Sequence, residues 1–191
     1  RAYPLELSLG SSSFCNLKCI MCPREDHEGN LMPFDQPVGL DYFRGLDPYL
    51  RRANEVSLYG LGEPFIDNQY FDKVALIRSF GAAVTLSTNG ILLDEKRRRQ
   101  VIESGIRGLG ISLDATTAKT YAVVRPPGGF ETVVENLKAL VRSREERGDH
   151  RPLLVLSFAM MRQNLDEVPL FPGLVKSIGA HEAIIHTSIY M

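Results

Sequence analysis

Apolar positions along the chain fall into two kinds of run that alternate. Short runs at residues 5–9, 55–59, 83–87, 109–113, 153–160 and 183–189 predict six β-strands. Several are continuous rather than alternating, the pattern of strands covered on both faces in a parallel sheet. Between them the period lengthens to that of a helix. Over 130–141, Phe130, Val133, Val134, Leu137, Leu140 and Val141 share one face. A second helical pattern spans 68–80 and stops at Gly81, a C-terminal cap. A third spans 94–104 and stops at Gly105, with Asp94 as N-cap and Lys96 to Arg99 on the solvated side.

A strand–helix unit repeated about six times predicts an α/β fold of parallel strands joined by right-handed crossovers. The chain has 191 residues, enough for one domain with its own core. It is short of the roughly 250 that a closed eight-unit barrel takes, so a partial barrel of six units is expected. Ligands of such folds sit beyond the C-terminal ends of the strands. The residues that carry chemistry should therefore follow strands directly.

Composition narrows the function classes. The chain is 44% hydrophobic and 24% charged, which excludes global disorder. Its net charge of −1 lacks the basic surplus of a nucleic-acid binder. No apolar run nears the ~20 residues that span a bilayer, and residues 1–9 lack a signal-peptide core, so neither a membrane nor a nucleic-acid partner is expected and the cytoplasm is the expected compartment. Three cysteines, all between positions 15 and 22, make a poor disulfide framework. Thiols clustered in a reducing compartment more often bind metal.

The cysteines follow the first strand as Cys15-x3-Cys19-x2-Cys22. Three thiolates on one loop suit three irons of a four-iron cube and leave the fourth iron without a protein ligand. The alternative is a structural zinc site completed by His27, since such sites take four ligands. An electron-transfer ferredoxin would want a fourth cysteine, which the chain lacks.

With this spacing on this loop, the chain resembles the radical S-adenosylmethionine superfamily. The resemblance implies a [4Fe–4S] cluster held by Cys15, Cys19 and Cys22. Its open iron would chelate S-adenosylmethionine and cleave it reductively to a 5′-deoxyadenosyl radical, which takes hydrogen from a substrate. Met21 stands where the family often has an aromatic residue beside the adenine; a thioether also packs on a ring face. After the second strand, Gly60-Leu61-Gly62-Glu63-Pro64 resembles the family's Gly-Gly-Glu-Pro segment, with Leu61 the departure. There it meets the amino group of S-adenosylmethionine, which Glu63 would complement. After the third strand, Ser87-Thr88-Asn89-Gly90 is similar to the segment beside the ribose, with Ser87 and Asn89 as donors. A simple Asn-Gly turn is the alternative.

The stretch from Ser112 through Arg125 looks like the branch that modifies peptides and small natural products, members of which often carry a C-terminal auxiliary-cluster domain. The resemblance puts Ser112 and Arg125 on the S-adenosylmethionine carboxylate. Asp114 is expected to point into the cavity toward ribose or substrate, or else to cap the next helix. Met160, Met161 and Asn164 are similar to the family's adenine side, and His186 within the sixth strand reads as a core or backbone-bonded histidine before a proton-transfer group. The likeness runs over about residues 5–190 as a single core domain. It implies a peptide or small-molecule substrate and an electron donor such as flavodoxin or ferredoxin.

Overall fold

The computed structural model describes residues 3–24 and 38–187. His27, Ile189 and Tyr190 lie outside the described residues. Six strands form one parallel sheet in sequential order: β1 (Glu6–Leu9), β2 (Glu55–Leu58), β3 (Ala83–Thr88), β4 (Gly108–Ser112), β5 (Leu153–Met160) and β6 (Glu182–Thr187). Each strand pairs with its neighbours in the chain, the order that repeated strand–helix units generate. Helices fill the crossovers: α1 (Leu40–Gly45), α2 (Asp47–Leu50), α3 (Tyr70–Ser79), α4 (Glu95–Glu103), α5 (Ala118–Val124), α6 (Phe130–Glu146) and α7 (Phe171–Ile178). The architecture is a partial (β/α)6 barrel, in agreement with the sequence pattern.

One row of the sheet shows what holds it to the helices. Leu9, Leu58, Leu86, Leu109 and Leu154 are register partners across five strands. Of these the last four are buried. They pack with Val74 and Ile77 of α3, Val101 of α4 and Leu137 of α6 in one core. Each such side chain contributes about 1.5–3 kcal/mol by leaving water.

The opposite face differs from the sequence expectation. The strands are not covered on both sides: burial alternates along β2, β3 and β4. Ser57, Thr85, Ser87, Gly110, Ser112 and Ser157 lie on the second face, half-buried. Small and hydroxylated residues there do not need a helix above them, and they leave room for a ligand. β6 is exposed along its whole length.

The predicted helices hold with adjusted ends. α3 ends one residue before Phe80 and turns at Gly81 in the left-handed region, φ 93. Asp94 caps α4, its carboxylate accepting from the Arg97 amide at 2.8 Å. Arg97 and Arg98 are not merely solvated: they donate to the carbonyls of Phe65 and Leu93, tying α4 to neighbouring loops. α6 runs five residues beyond the predicted 141. α1, α2, α5 and α7 are too short for a periodic pattern to announce them.

Candidate functional site

A cavity of about 320 Å³ opens at the C-terminal ends of β1 to β4. Its walls include all three cysteines, with Met21, Gly60, Gly62, Glu63, Ser87, Asn89, Ser112 and Arg125. Loops from four strand ends thus bring together most of the residues singled out from the sequence. A larger surface hollow, about 570 Å³, lies between α4 and α6 and is walled by charged groups such as Arg98, Arg99 and Glu146. None of the residues singled out around the cysteines lines it, and its charged walls make it a solvated helix groove.

The cysteine loop is seated by backbone bonds. The Lys18 amide donates to the Pro126 carbonyl at 2.8 Å and the Ile20 amide to that of Val124 at 3.1 Å, which ties it to the end of α5. On the other side the Glu63 amide donates to the Phe14 carbonyl at 2.7 Å. Gly62 makes this approach feasible: a Cβ there would lie 2.4 Å from the Ser12 carbonyl oxygen and 2.6 Å from that of Phe14. The second glycine of the motif is therefore required by the packing of the cysteine loop upon it. Pro64 does not wall the cavity and instead starts a 3-10 turn, Pro64–Ile66.

The Glu63 side chain is buried and spoken for. It accepts from the Thr88 hydroxyl at 2.6 Å and from the amides of Asn89 at 2.9 Å and Phe65 at 3.2 Å. Burial pushes its carboxyl above the usual range, against the pull of these donors. The carboxylate clamps the β2 loop to the β3 loop while one side faces the cavity. Asn89 does more than make a turn. Its Nδ2 donates to Asn16 Oδ1 at 2.8 Å and lies 3.8 Å from Cys15 Sγ, while its Oδ1 accepts from the Ile91 amide.

Asp114 departs from both sequence expectations. It does not cap α5; Thr117 does, accepting from the Thr120 amide at 3.3 Å. Nor is it among the cavity walls. Its carboxylate pairs with the Arg125 guanidinium and accepts from the Ala159 amide at 2.7 Å. Arg125 lines the cavity and brings Nη1 to 3.5 Å from Cys19 Sγ. Asn164 is buried under this pair and donates to the carbonyls of Asp114 and Ala159, so it braces the β5 loop away from the cavity wall. Met160 and Met161 pack against the core. His186 is exposed on β6 and not a core residue; its Nδ1 sits 3.4 Å from the Thr187 carbonyl.

Two residues of the site escaped the sequence reading. Asn16 receives Asn89, and Arg24, buried, donates to the carbonyls of Cys15 and Leu17 at 3.4 and 3.2 Å. Their position beside the cysteines was the only available signal.

The three thiols form no disulfide and are half-buried. Burial pushes Cys15 and Cys19 above the ordinary thiol value; the Leu17 amide eases Cys15 and the Arg125 charge eases Cys19. Among the described residues no three His, Cys, Asp or Glu side chains converge tightly enough for one metal ion. Three thiols on the wall of one cavity fit a four-iron cluster, three of whose irons take one protein ligand each.

Comparison with known proteins agrees with this geometry. A family described as the Radical SAM superfamily matches residues 10–157. The chain belongs to the radical SAM superfamily, whose members use a [4Fe–4S] cluster and S-adenosylmethionine. It is 27% identical over 184 residues to a tungsten-containing aldehyde ferredoxin oxidoreductase cofactor-modifying protein of Pyrococcus furiosus, covering 94% of this chain and 50% of that protein. It is 25% identical over 180 residues to a probable GTP 3′,8-cyclase of Methanocaldococcus jannaschii, covering 94% and 57%. The fold matches that of Streptococcus suis SuiB bound to S-adenosylmethionine with a TM-score of 0.76, at 19% identity, over 99% of this chain and 42% of the other. The chain spans about half the length of the curated relatives it matches.

Proposed function

We propose that this chain is the core of a radical S-adenosylmethionine enzyme acting on a peptide or small natural product. The observation that carries the reading is one cavity that joins three cysteine thiols to Gly60, Leu61, Gly62 and Glu63, Ser87, Asn89, Ser112 and Arg125. Cys15, Cys19 and Cys22 would hold the cluster. Bound there and reduced by one electron, such a cluster would supply the reductive cleavage of S-adenosylmethionine to methionine and a 5′-deoxyadenosyl radical that takes hydrogen from substrate.

The chain's own groups would position the cofactor. Met21 offers a soft apolar face near the cysteines. Glu63 supplies negative charge and the adjoining glycines supply backbone carbonyls for an ammonium group. Ser87 and Asn89 offer a hydroxyl and an amide for the ribose, Ser112 and Arg125 donors for a carboxylate. Beyond the cavity the small, hydroxylated face of the sheet leaves space for a substrate. Flavodoxin or ferredoxin is the class of electron donor such a site would need, and residues 1–191 are read as a single core domain of a cytoplasmic protein.

The test is anaerobic. The protein is reconstituted with iron and sulfide, reduced with dithionite and given S-adenosylmethionine, and 5′-deoxyadenosine and methionine are measured by mass spectrometry. Cleavage by the wild type and none by Cys19→Ala is expected. A wild type that carries zinc and yields no 5′-deoxyadenosine after reconstitution would overturn the proposal.

A further inference from the structure

Among the described residues three donors approach the cysteine sulfurs directly, and they are unequal. Cys15 Sγ takes direct approaches from neutral ones, the Leu17 amide at 3.4 Å and Asn89 Nδ2 at 3.8 Å, with the Arg24 charge acting from the Cys15 carbonyl. Cys19 Sγ faces a cation, Arg125 Nη1 at 3.5 Å. Arg125 is 7% exposed, and its guanidinium is not free to move. Its Nε donates to Asp114 Oδ2 at 2.8 Å, and its Nη2 donates to the same oxygen.

Asp114 is itself anchored from three sides. Its Oδ1 accepts from the Ala159 amide at 2.7 Å, and its carbonyl accepts from Asn164 Nδ2 at 2.9 Å. It is the one non-glycine among the described residues with positive φ, 57, a conformation strained for a side-chain-bearing residue that persists where surroundings over-determine it. Such outliers gather at functional sites. Breaking a buried pair of this kind strands a charge, so aspartate and arginine hold each other in place. The result is that one guanidinium edge is aimed at one sulfur.

We propose that Asp114 and Arg125 form a positioning pair that sets the reduction potential of the cluster held by Cys15, Cys19 and Cys22. This rests on the reading of the chain as a radical S-adenosylmethionine enzyme. The physics is electrostatic. Reduction adds one electron, taken from an external low-potential one-electron donor, and makes the cluster more negative. A fixed, buried cation against one of its half-buried thiolates stabilises that state more than the oxidised one. Hydrogen bonds to the sulfurs and local net charge are the levers by which a protein tunes such a centre. Arg125 acts through Cys19, and Asp114 acts through Arg125.

The role differs from binding the carboxylate of S-adenosylmethionine, because it operates before that cofactor arrives. The experiment is therefore a dithionite titration of the intact, reconstituted protein without S-adenosylmethionine, followed by electron paramagnetic resonance. The cluster at this site is identified by the change in its signal when S-adenosylmethionine is later added. Arg125→Gln is expected to shift the midpoint negative by about a tenfold change in the reduction equilibrium, about 59 mV for one electron. Arg125→Lys keeps the charge but not the fork and should shift it less. In an Asp114→Asn background the Arg125→Gln step should be less than half its size in the wild type.

A fully loaded Arg125→Gln protein with an unchanged potential, altered only in its affinity for S-adenosylmethionine, would overturn the proposal and leave Arg125 to the carboxylate. Additive shifts in the double variant would remove Asp114 from the device. Loss of iron or of fold in both Arg125 variants would overturn it in favour of a role in assembly. A wild type that takes up no such cluster would instead defeat the enzyme reading itself.

Discussion

Gly62 is the position where a single methylene decides most. Its Cβ would enter the backbone of the cysteine loop at Ser12 and Phe14, and backbone cannot swing aside. Gly62→Ala should lower iron uptake on reconstitution by severalfold and the melting temperature with it, read by iron analysis and calorimetry. Tyr121 makes the opposite case. Its ring is buried, yet its hydroxyl has no hydrogen-bond partner among the described residues, and burial pushes its pKa up to about 12. An unpaired buried hydroxyl costs stability, so Tyr121→Phe should be neutral or stabilise by up to about 1 kcal/mol in urea unfolding. The cysteines and the Gly60–Pro64 segment were legible because their signal is contiguous in the chain. Asp114 was misread because its partner lies eleven residues on and the amide it accepts lies on another strand. Asn16 and Arg24 were missed for the same reason: their meaning comes from what they touch.

At the scale of elements, the sheet is stapled to its helices by more than apolar contact. Lys73 of α3 is fully buried and donates to Asp67 Oδ2 at 2.5 Å, with its ammonium 5.2 Å from the Phe43 ring centroid. Asp67→Ala leaves that ammonium alone and should cost about 3–5 kcal/mol, measured by urea unfolding. Lys73→Met with Asp67→Asn removes both charges and should cost much less. At the start of β6, His181 Nδ1 accepts from the Leu154 amide at 2.9 Å while Arg144 Nη1 lies 3.2 Å from Nε2. Desolvation and the Arg144 charge hold its pKa below the ordinary 6.5. The folded state thus favours the neutral ring. Its contribution is complete above about 6.5 and is lost as pH falls through the lower folded-state value, so His181→Gln should flatten the acid limb of a stability–pH curve. Helix α6 was visible in the sequence by its long apolar face, and α3 and α4 by their length and the signals at their ends, Gly81, Asp94 and Gly105. The short ones were not, since one or two turns give no period to detect.

For the whole molecule, the cysteine loop is a seam. It is bonded to the end of α5 on one side and to the β2 loop on the other, while the leucine row under the sheet is independent of it. Stripping iron by chelation should lower the melting temperature and speed proteolysis within residues 10–24, and should leave hydrogen exchange in β3 to β5 unchanged. A cluster binds the folded loop and not the open one, which is why its removal is a stability event.

The amino-acid sequence by itself determined the order and kind of the principal elements, the parallel α/β class and the cysteine, glycine and Ser87–Asn89 segments. The elements and class are written in short-range periodicity, and the segments in contiguous motifs that resemble those of a known family. Only the tertiary structure decided the rest. It left one sheet face open and hydroxylated where continuous apolar runs suggested cover. It turned Glu63 into a clamp between two loops. It gave Asp114 to Arg125, and Arg125 to Cys19. Those outcomes depend on which atoms meet across strands tens of residues apart, and distance in space is a quantity the linear pattern does not carry.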